Sequence, residues 1–236
     1  MPVYRLTKEL IFPPPALAED GLLAVGGDLS VDRLILAYSQ GIFPWYSQGE
    51  PIMWWSPDPR MVLFPESFRC TQRLARTIRQ GVFEVTFDQA FPEVIRACST
   101  APRPGQDGTW ITRAMVEAYC ALHAAGYAHS IECWREGALV GGLYGVSLGA
   151  CFFGESMFSR ESNASKVAFA RLVECAKGWN FDFIDCQVAN KHLRSLGARE
   201  IPRKQFLTRL QAALAHETRR GRWGAQDSGS IEEVLT

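Results

Sequence analysis

Hydrophobic and polar positions change their period several times along the chain, and each change marks an element. In "SVDRLILAYSQG", Val31, Leu34, Ile35 and Tyr38 recur at helical spacing. Ser30 stands where an N-cap belongs, and Gly41 where a helix closes. "SFRCTQRLARTIRQG" is a second amphipathic helix, with Arg69, Arg73 and Arg76 along one face and Arg79 adjoining it. "VFEVTF" alternates as a strand does, and "DQAFPEVIRACS" returns to helical spacing with Asp88 as its expected cap. "TAPRPGQDGTW" reads as a loop, and "TRAMVEAYCALHAAGY" as a helix from near Thr112 to Gly126. "HSIECWREGALVGGLYGVSLGACFFG" follows as three short strands turning at "REGA" and "SLGA", an antiparallel meander. A helix over "NASKVAFARLVECAKGW", capped by Asn163 or Ser162, leads straight into the strand "FDFIDCQV". "PRKQFLTRLQAALAHE" forms a last helix before a polar tail.

The first sixty or so residues have a different texture. "IFPPPALAEDGLLAVGGDLS" is rich in Pro and Gly, and "IFPWYSQGEPIMWWSPDPRMVLFP" sets Trp45, Trp54 and Trp55 among prolines. Regular periodicity begins near Pro65, so a small irregular domain over residues 1–63 and a larger one over 64–236 are expected. Composition supports a packed globular protein, with 47% hydrophobic and 21% charged residues. Lys+Arg and Asp+Glu both number 25, which excludes a uniformly basic nucleic-acid binder and leaves room only for a local basic patch. The seven cysteines form no C-x-x-C pair and the four histidines no ligand spacing, so neither a disulfide framework nor a metal site is expected. No stretch is long and apolar enough to span a bilayer, which makes no membrane partner and a cytoplasmic location the expectation.

Three stretches carry candidate chemistry. In "FIDCQVAN" an apolar strand contains Asp185 and Gln187 two residues apart, which ideal alternation points to one face with Cys186 on the other. A buried carboxylate is costly unless it is satisfied structurally or kept for chemistry. In "CFFGESMFSRESNASK", Glu155 interrupts a strongly apolar strand end and either turns outward or stands at the rim of an apolar pocket. The strand after the next helix should neighbour this one, bringing Glu155, Asp185 and Gln187 to one end of the sheet. "WWSPDPR" reads either as a packed domain junction or as a stacking surface with Arg60 as phosphate contact for a nucleic-acid end. The row Arg69, Arg73, Arg76 is either a solvated face or a phosphate-contacting one.

Meander, helix and strand in this order resemble the GCN5-like acyltransferases. The fold class expected is α+β, with a mixed, mainly antiparallel sheet and flanking helices in the larger domain. In that superfamily a Gly-rich turn at the helix N-terminus grips the CoA pyrophosphate. The equivalent "SRESNAS" has no glycine, which argues against CoA. Across residues 9 to 210, "GLLAVGGDLS", "GIFPWYSQGEPIMWWSPDPR", "GTWIT", "GGLYGVSLG", "GESMFSR.SNASK" and "FIDCQVAN.H..SLGA..IPR" stand in an order that resembles the bacterial leucyl/phenylalanyl-tRNA–protein transferases.

The resemblance implies a monomeric enzyme without metal or organic cofactor. It would move Leu or Phe from the 3′ end of Leu-tRNA or Phe-tRNA to the α-amino group of proteins beginning with Arg or Lys, marking them for N-end-rule degradation. It further implies Asp185 and Gln187 as the catalytic pair, and Leu143, Phe152, Met157, Phe169, Leu172 and Ile184 as walls of the amino-acid pocket. Ile184 has the opposite strand parity to Asp185, so a twist or bulge is needed if both serve one cavity. Trp110 would meet the terminal adenosine, with Trp45, Tyr119 and Asn190 completing the site and Glu155 meeting the acceptor's basic end. Two other readings stand beside it: a CoA-dependent N-acyltransferase on the same fold, and a non-catalytic RNA-binding module using Trp54, Trp55 and the arginine row.

Overall fold

The computed structural model describes residues 3–102 and 109–224. Most of the loop expected before Trp110, and the polar tail from 225, lie outside them. Along the chain the elements are β1 (Tyr4–Leu6), β2 (Leu22–Gly26), α1 (Val31–Ser39), β3 (Phe43–Pro44), β4 (Met53–Trp55) and β5 (Arg60–Leu63). Next come α2 (Gln72–Arg79), β6 (Glu84–Phe87), α3 (Phe91–Thr100), α4 (Arg113–Ala124), β7 (Ala128–Arg135), β8 (Ala138–Leu148) and β9 (Cys151–Ser159). The described chain ends with α5 (Ala164–Gly178), β10 (Phe183–Gln187), α6 (Lys191–Ser195), β11 (Arg199–Ile201) and α7 (Arg203–Leu214).

Two sheets organise these elements. A four-stranded sheet has the order β1-β2-β4-β3, and a seven-stranded sheet the order β11-β5-β10-β9-β8-β7-β6. In the larger sheet β10 runs parallel to β9, and every other pairing is antiparallel. This is the expected α+β arrangement, a mixed, mainly antiparallel sheet with flanking helices, in which α5 crosses between the two parallel strands. Helix α5 is nearly all buried, packing Ala164, Val167, Ala168 and Leu172 against the sheet. Glycines on β8 permit that closeness: a Cβ at Gly141 would lie 2.5 Å from the Ala164 Cβ. Strand β5, which precedes residue 64, belongs to the larger sheet, where it lies between β10 and β11.

Several local expectations need correction. The meander strands β7, β8 and β9 have 8, 11 and 9 residues and are not short. Helix α2 starts later than its apolar pattern implied, because the Thr71 hydroxyl caps it by accepting from Leu74 N. Arg69 therefore lies outside the helix, while Arg73, Arg76 and Arg79 are exposed upon it. Asp88 does not cap α3. Its carboxylate accepts from Ser130 N and Trp223 N, and meets His129 Nδ1 at 2.8 Å. Asn163 sits at the cap position of α5 with φ of 71° but makes no capping bond; its Nδ2 donates to Thr77 Oγ1. The indole of Trp54 is buried against Phe12 and donates to Gly26 O, so it offers no stacking surface.

Candidate active site

The site begins where two neighbouring strands part. β10 pairs with β9 through Phe183↔Cys151, Ile184↔Phe152 and Asp185↔Phe153, and no further. Beyond Phe153, β9 continues with β8 alone, and a cavity of about 320 Å³ opens in the gap. Two bulges aim side chains into it. In the β8–β9 ladder Tyr144 faces Ser156 while Gly145 faces Gly154, so Glu155 is the extra residue. In the β5–β10 ladder Val62 faces Asp185 and Met61 faces Gln187, leaving Cys186 unpaired. The second bulge ends ideal alternation, which is why Ile184, Asp185, Cys186 and Gln187 all line one cavity.

Leu143, Phe152, Phe169, Leu172 and Ile184 form an apolar wall, and half-buried Met157 joins them. Trp45, Trp110 and Asn190 also line the cavity. The Asn190 side chain caps α6, accepting from His192 N at 2.8 Å and Leu193 N at 3.3 Å. Tyr119 does not line the cavity. It is fully buried behind Glu155, donating to that carboxylate and packing against the ring of Tyr144, which does line the cavity.

Two carboxylates flank Gln187. Asp185 is fully buried and held in a two-pronged pair by Arg60, with Nε to Oδ1 at 2.9 Å and Nη2 to Oδ2 at 2.6 Å. The guanidinium is itself buried, donates to Gly41 O and lies against the rings of Phe43 and Phe206. Arg60 therefore cannot be a phosphate contact. Asp185 also accepts from the backbone N of Gln187 at 2.9 Å, which holds that residue at a φ of 61°. Asp185 thus fixes the Gln187 backbone and does not touch its carboxamide.

The carboxamide is oriented by Glu155, which accepts from Gln187 Nε2 at 2.7 Å. Glu155 is only 8% exposed, and its two oxygens also accept from Tyr38 OH at 2.7 Å and Tyr119 OH at 2.9 Å. Burial pushes its carboxyl up to about 7, against the opposing pull of the two tyrosines and Gln187. Among the described residues no three His, Cys, Asp or Glu group to hold a metal ion.

The family description "Leucyl/phenylalanyl-tRNA protein transferase" matches residues 62–211, and that of the family's N-terminal domain matches residues 27–58. The Leucyl/phenylalanyl-tRNA--protein transferase of Anaeromyxobacter sp. (strain Fw109-5) is 59% identical over 224 residues, covering 94% of this chain and 95% of that relative. The chain belongs to the leucyl/phenylalanyl-tRNA–protein transferase family. Identically named relatives from Syntrophobacter fumaroxidans and Myxococcus xanthus are 61% and 55% identical, covering 89% and 94% of this chain and 90% and 97% of their own lengths. The protein is accordingly an aminoacyltransferase. Among solved structures, a GCN5-related N-acetyltransferase from Kribbella flavida overlaps 70% of this chain and 59% of its own at 10% identity, with a TM-score of 0.37.

Sequence reasoning missed one member of this candidate site, Tyr38, and gave another, Arg60, a different role. Tyr38 reads as one more apolar-face residue of α1, and only packing of α1 against α4 brings its hydroxyl to Glu155. Arg60 as the partner of Asp185 had one usable signal, a lone cation opening the apolar run "MVLFP". An arginine starting a buried strand needs a buried anion.

Proposed function

We propose that this transferase takes Leu or Phe from the 3′ end of aminoacyl-tRNA and attaches it to the α-amino group of proteins that begin with Arg or Lys. The product would enter N-end-rule degradation, and the enzyme would act as a cytoplasmic monomer. The observation that carries the reading is the cavity between β9 and β10, apolar along one wall and closed by the Gln187 carboxamide and Glu155. Such a wall suits an aliphatic or aromatic side chain, and half-buried Met157 is an adaptable part of it. The indoles of Trp110 and Trp45 at the lining suit the adenosine end of the donor. Exposed Arg73 and Arg76 suit the phosphates of the tRNA body, as does Arg69 outside the helix.

The donor is an activated ester, so the enzyme's task is to hold ester and amine in attack geometry. Positioning of that kind supplies about 7–11 kcal/mol in favourable cases. Gln187 spends Nε2 on Glu155, which leaves its carbonyl oxygen to accept from the incoming amine. Asp185 and Arg60 hold the backbone from which that carboxamide projects. The test is incubation with labelled Leu-tRNA and an Arg-terminated peptide. Labelled peptide is the expected result. Absence of transfer together with calorimetric binding of CoA would instead favour a CoA-dependent acyltransferase, and tRNA binding without transfer an RNA-binding module.

A further inference from the structure

The side chains of Tyr38, Tyr119 and Glu155 form a closed ring of hydrogen bonds. Tyr38 OH meets Tyr119 OH, Tyr38 OH meets Glu155 Oε1, and Tyr119 OH meets Glu155 Oε2. Each phenol brings one hydrogen, so the ionised carboxylate leaves three contacts to share two hydrogens. One contact must then face lone pair to lone pair. A single added proton completes the ring: Glu155 donates to Tyr119, Tyr119 to Tyr38, and Tyr38 to the other oxygen of Glu155. The Gln187 Nε2–H bond to Glu155 Oε1 survives that change, because Oε1 stays an acceptor. The ring is therefore built to receive one proton without losing a partner.

We propose that Glu155, closed into this ring with Tyr38 and Tyr119, takes the proton released by the acceptor α-amine during transfer and returns it to the departing ribose oxygen. The proposal rests on the function proposed above. In the step, the amine lone pair forms the new C–N bond at the ester carbonyl carbon, and the N–H proton passes to the Glu155 carboxylate. The C–O bond to ribose then breaks, its electron pair stays on oxygen, and Glu155 supplies the proton that makes the hydroxyl. No proton is gained or lost overall. Position favours this route, since Glu155 lines the cavity and is bonded to the carboxamide that would hold the amine. A carboxamide oxygen is too weak a base to keep the proton, whereas a group titrating near the working pH is suited to both halves of the exchange.

The surroundings leave that balance to neutral donors. Tyr38 comes from α1, Tyr119 from α4, and Tyr144 on β8 sets its ring edge against Tyr119. From β10 come Gln187 and the charge of Asp185, which Arg60 on β5 balances. No cation pairs with Glu155 among the described residues. Burial accordingly raises its carboxyl to about 7.

Single-turnover transfer of labelled Leu from Leu-tRNA to a saturating Arg-terminated peptide, from pH 5.5 to 9, tests the assignment. Glu155→Gln keeps the shape and an acceptor oxygen for Gln187 but cannot take a proton. It should bind Leu-tRNA normally and transfer about 10²–10⁴-fold more slowly. The pH limb near 7 should vanish, while the limb of the acceptor amine, about 7.7–8.0, stays. Added formate should partly restore Glu155→Ala. Wild-type rates and an unchanged pH profile in Glu155→Gln overturn the proposal, as does a loss matched by falling melting temperature and donor affinity. A wild type that transfers nothing removes the functional reading itself. Should the variants fail to fold, infrared titration of wild type carrying ¹³C-Glu decides: a protonated carboxyl band lost near pH 7 is expected, and no such band overturns the assignment.

Discussion

Asp185 and Glu155 lie on adjacent strands, both buried and both bonded to Gln187, yet their surroundings differ in kind. Asp185 faces a guanidinium that meets both of its oxygens, and the pair is sealed between Phe43 and Phe206. Glu155 faces hydroxyls and a carboxamide, all neutral. A charge countered by a charge fixes geometry, because either partner alone would be stranded in the interior. A charge countered by hydroxyls exchanges a proton cheaply, because the same hydroxyls can donate or accept. The first carboxylate holds the Gln187 backbone and the second holds its side chain. Carboxylates two residues from a candidate catalytic amide need not share its chemistry.

The largest effect should come from breaking the ion pair. Arg60→Met leaves the Asp185 charge uncompensated and should cost about 3–5 kcal/mol in denaturant unfolding. Asp185→Asn strands the guanidinium instead and should also lower stability, so its loss of transfer must be normalised to folded protein. A fully stable Arg60→Met would erase the contrast between the two carboxylates. Glu155→Gln, in the same assay at pH 7, should lose no more than about 1 kcal/mol.

Next in size is the pH dependence of stability. The Glu155 carboxyl lies at about 7 in the folded protein against an ordinary 4.5, so the folded state binds the extra proton between those values. Its contribution to stability is whole below the unfolded value and is lost as pH rises to the folded one, a change of roughly 3 kcal/mol. Subtracting the pH profile of Glu155→Gln from that of wild type isolates this slope. A flat difference between pH 4.5 and 7 would contradict the contrast.

The smaller effects concern the substrate. Met157→Val should change the Leu:Phe donor ratio by about ten- to a hundred-fold, the range that one methylene commands in an apolar pocket. Melting temperature should barely move, since Met157 is only half-buried. A fixed donor ratio would mean that the pocket lies elsewhere. Reversing the charge of Arg73 and Arg76 should raise KM for Leu-tRNA several-fold and make its salt dependence shallower by about 1–2 in logarithmic slope. Transfer from aminoacyl-adenosine should be spared; equal loss with both donors would refute phosphate contact.

Much of this protein was legible in its residues. Periodicity alone located α1, α4, α5 and the meander, because amphipathic spacing and turn glycines act over a few neighbours. Adjacency of the strands carrying Glu155 and Asp185 followed from a single helix lying between them. The apolar wall residues named from the resemblance all line one cavity. Asp88 was misjudged as a cap because its carboxylate is drawn to Ser130 on β7, whereas Asn163 does stand at the N-cap of α5 but turns its side chain to Thr77 on α2.

What tertiary structure decided is where ideal alternation fails and which distant groups meet. The bulges at Glu155 and Cys186 exist only as mismatches between two paired strands, so neither sequence segment contains them alone. Arg60 and Asp185 are 125 residues apart, and Tyr38 and Glu155 are 117 apart. No local rule links such pairs; the link comes from closing the sheet and from burial. A buried charge must find its compensation wherever packing brings a donor within reach.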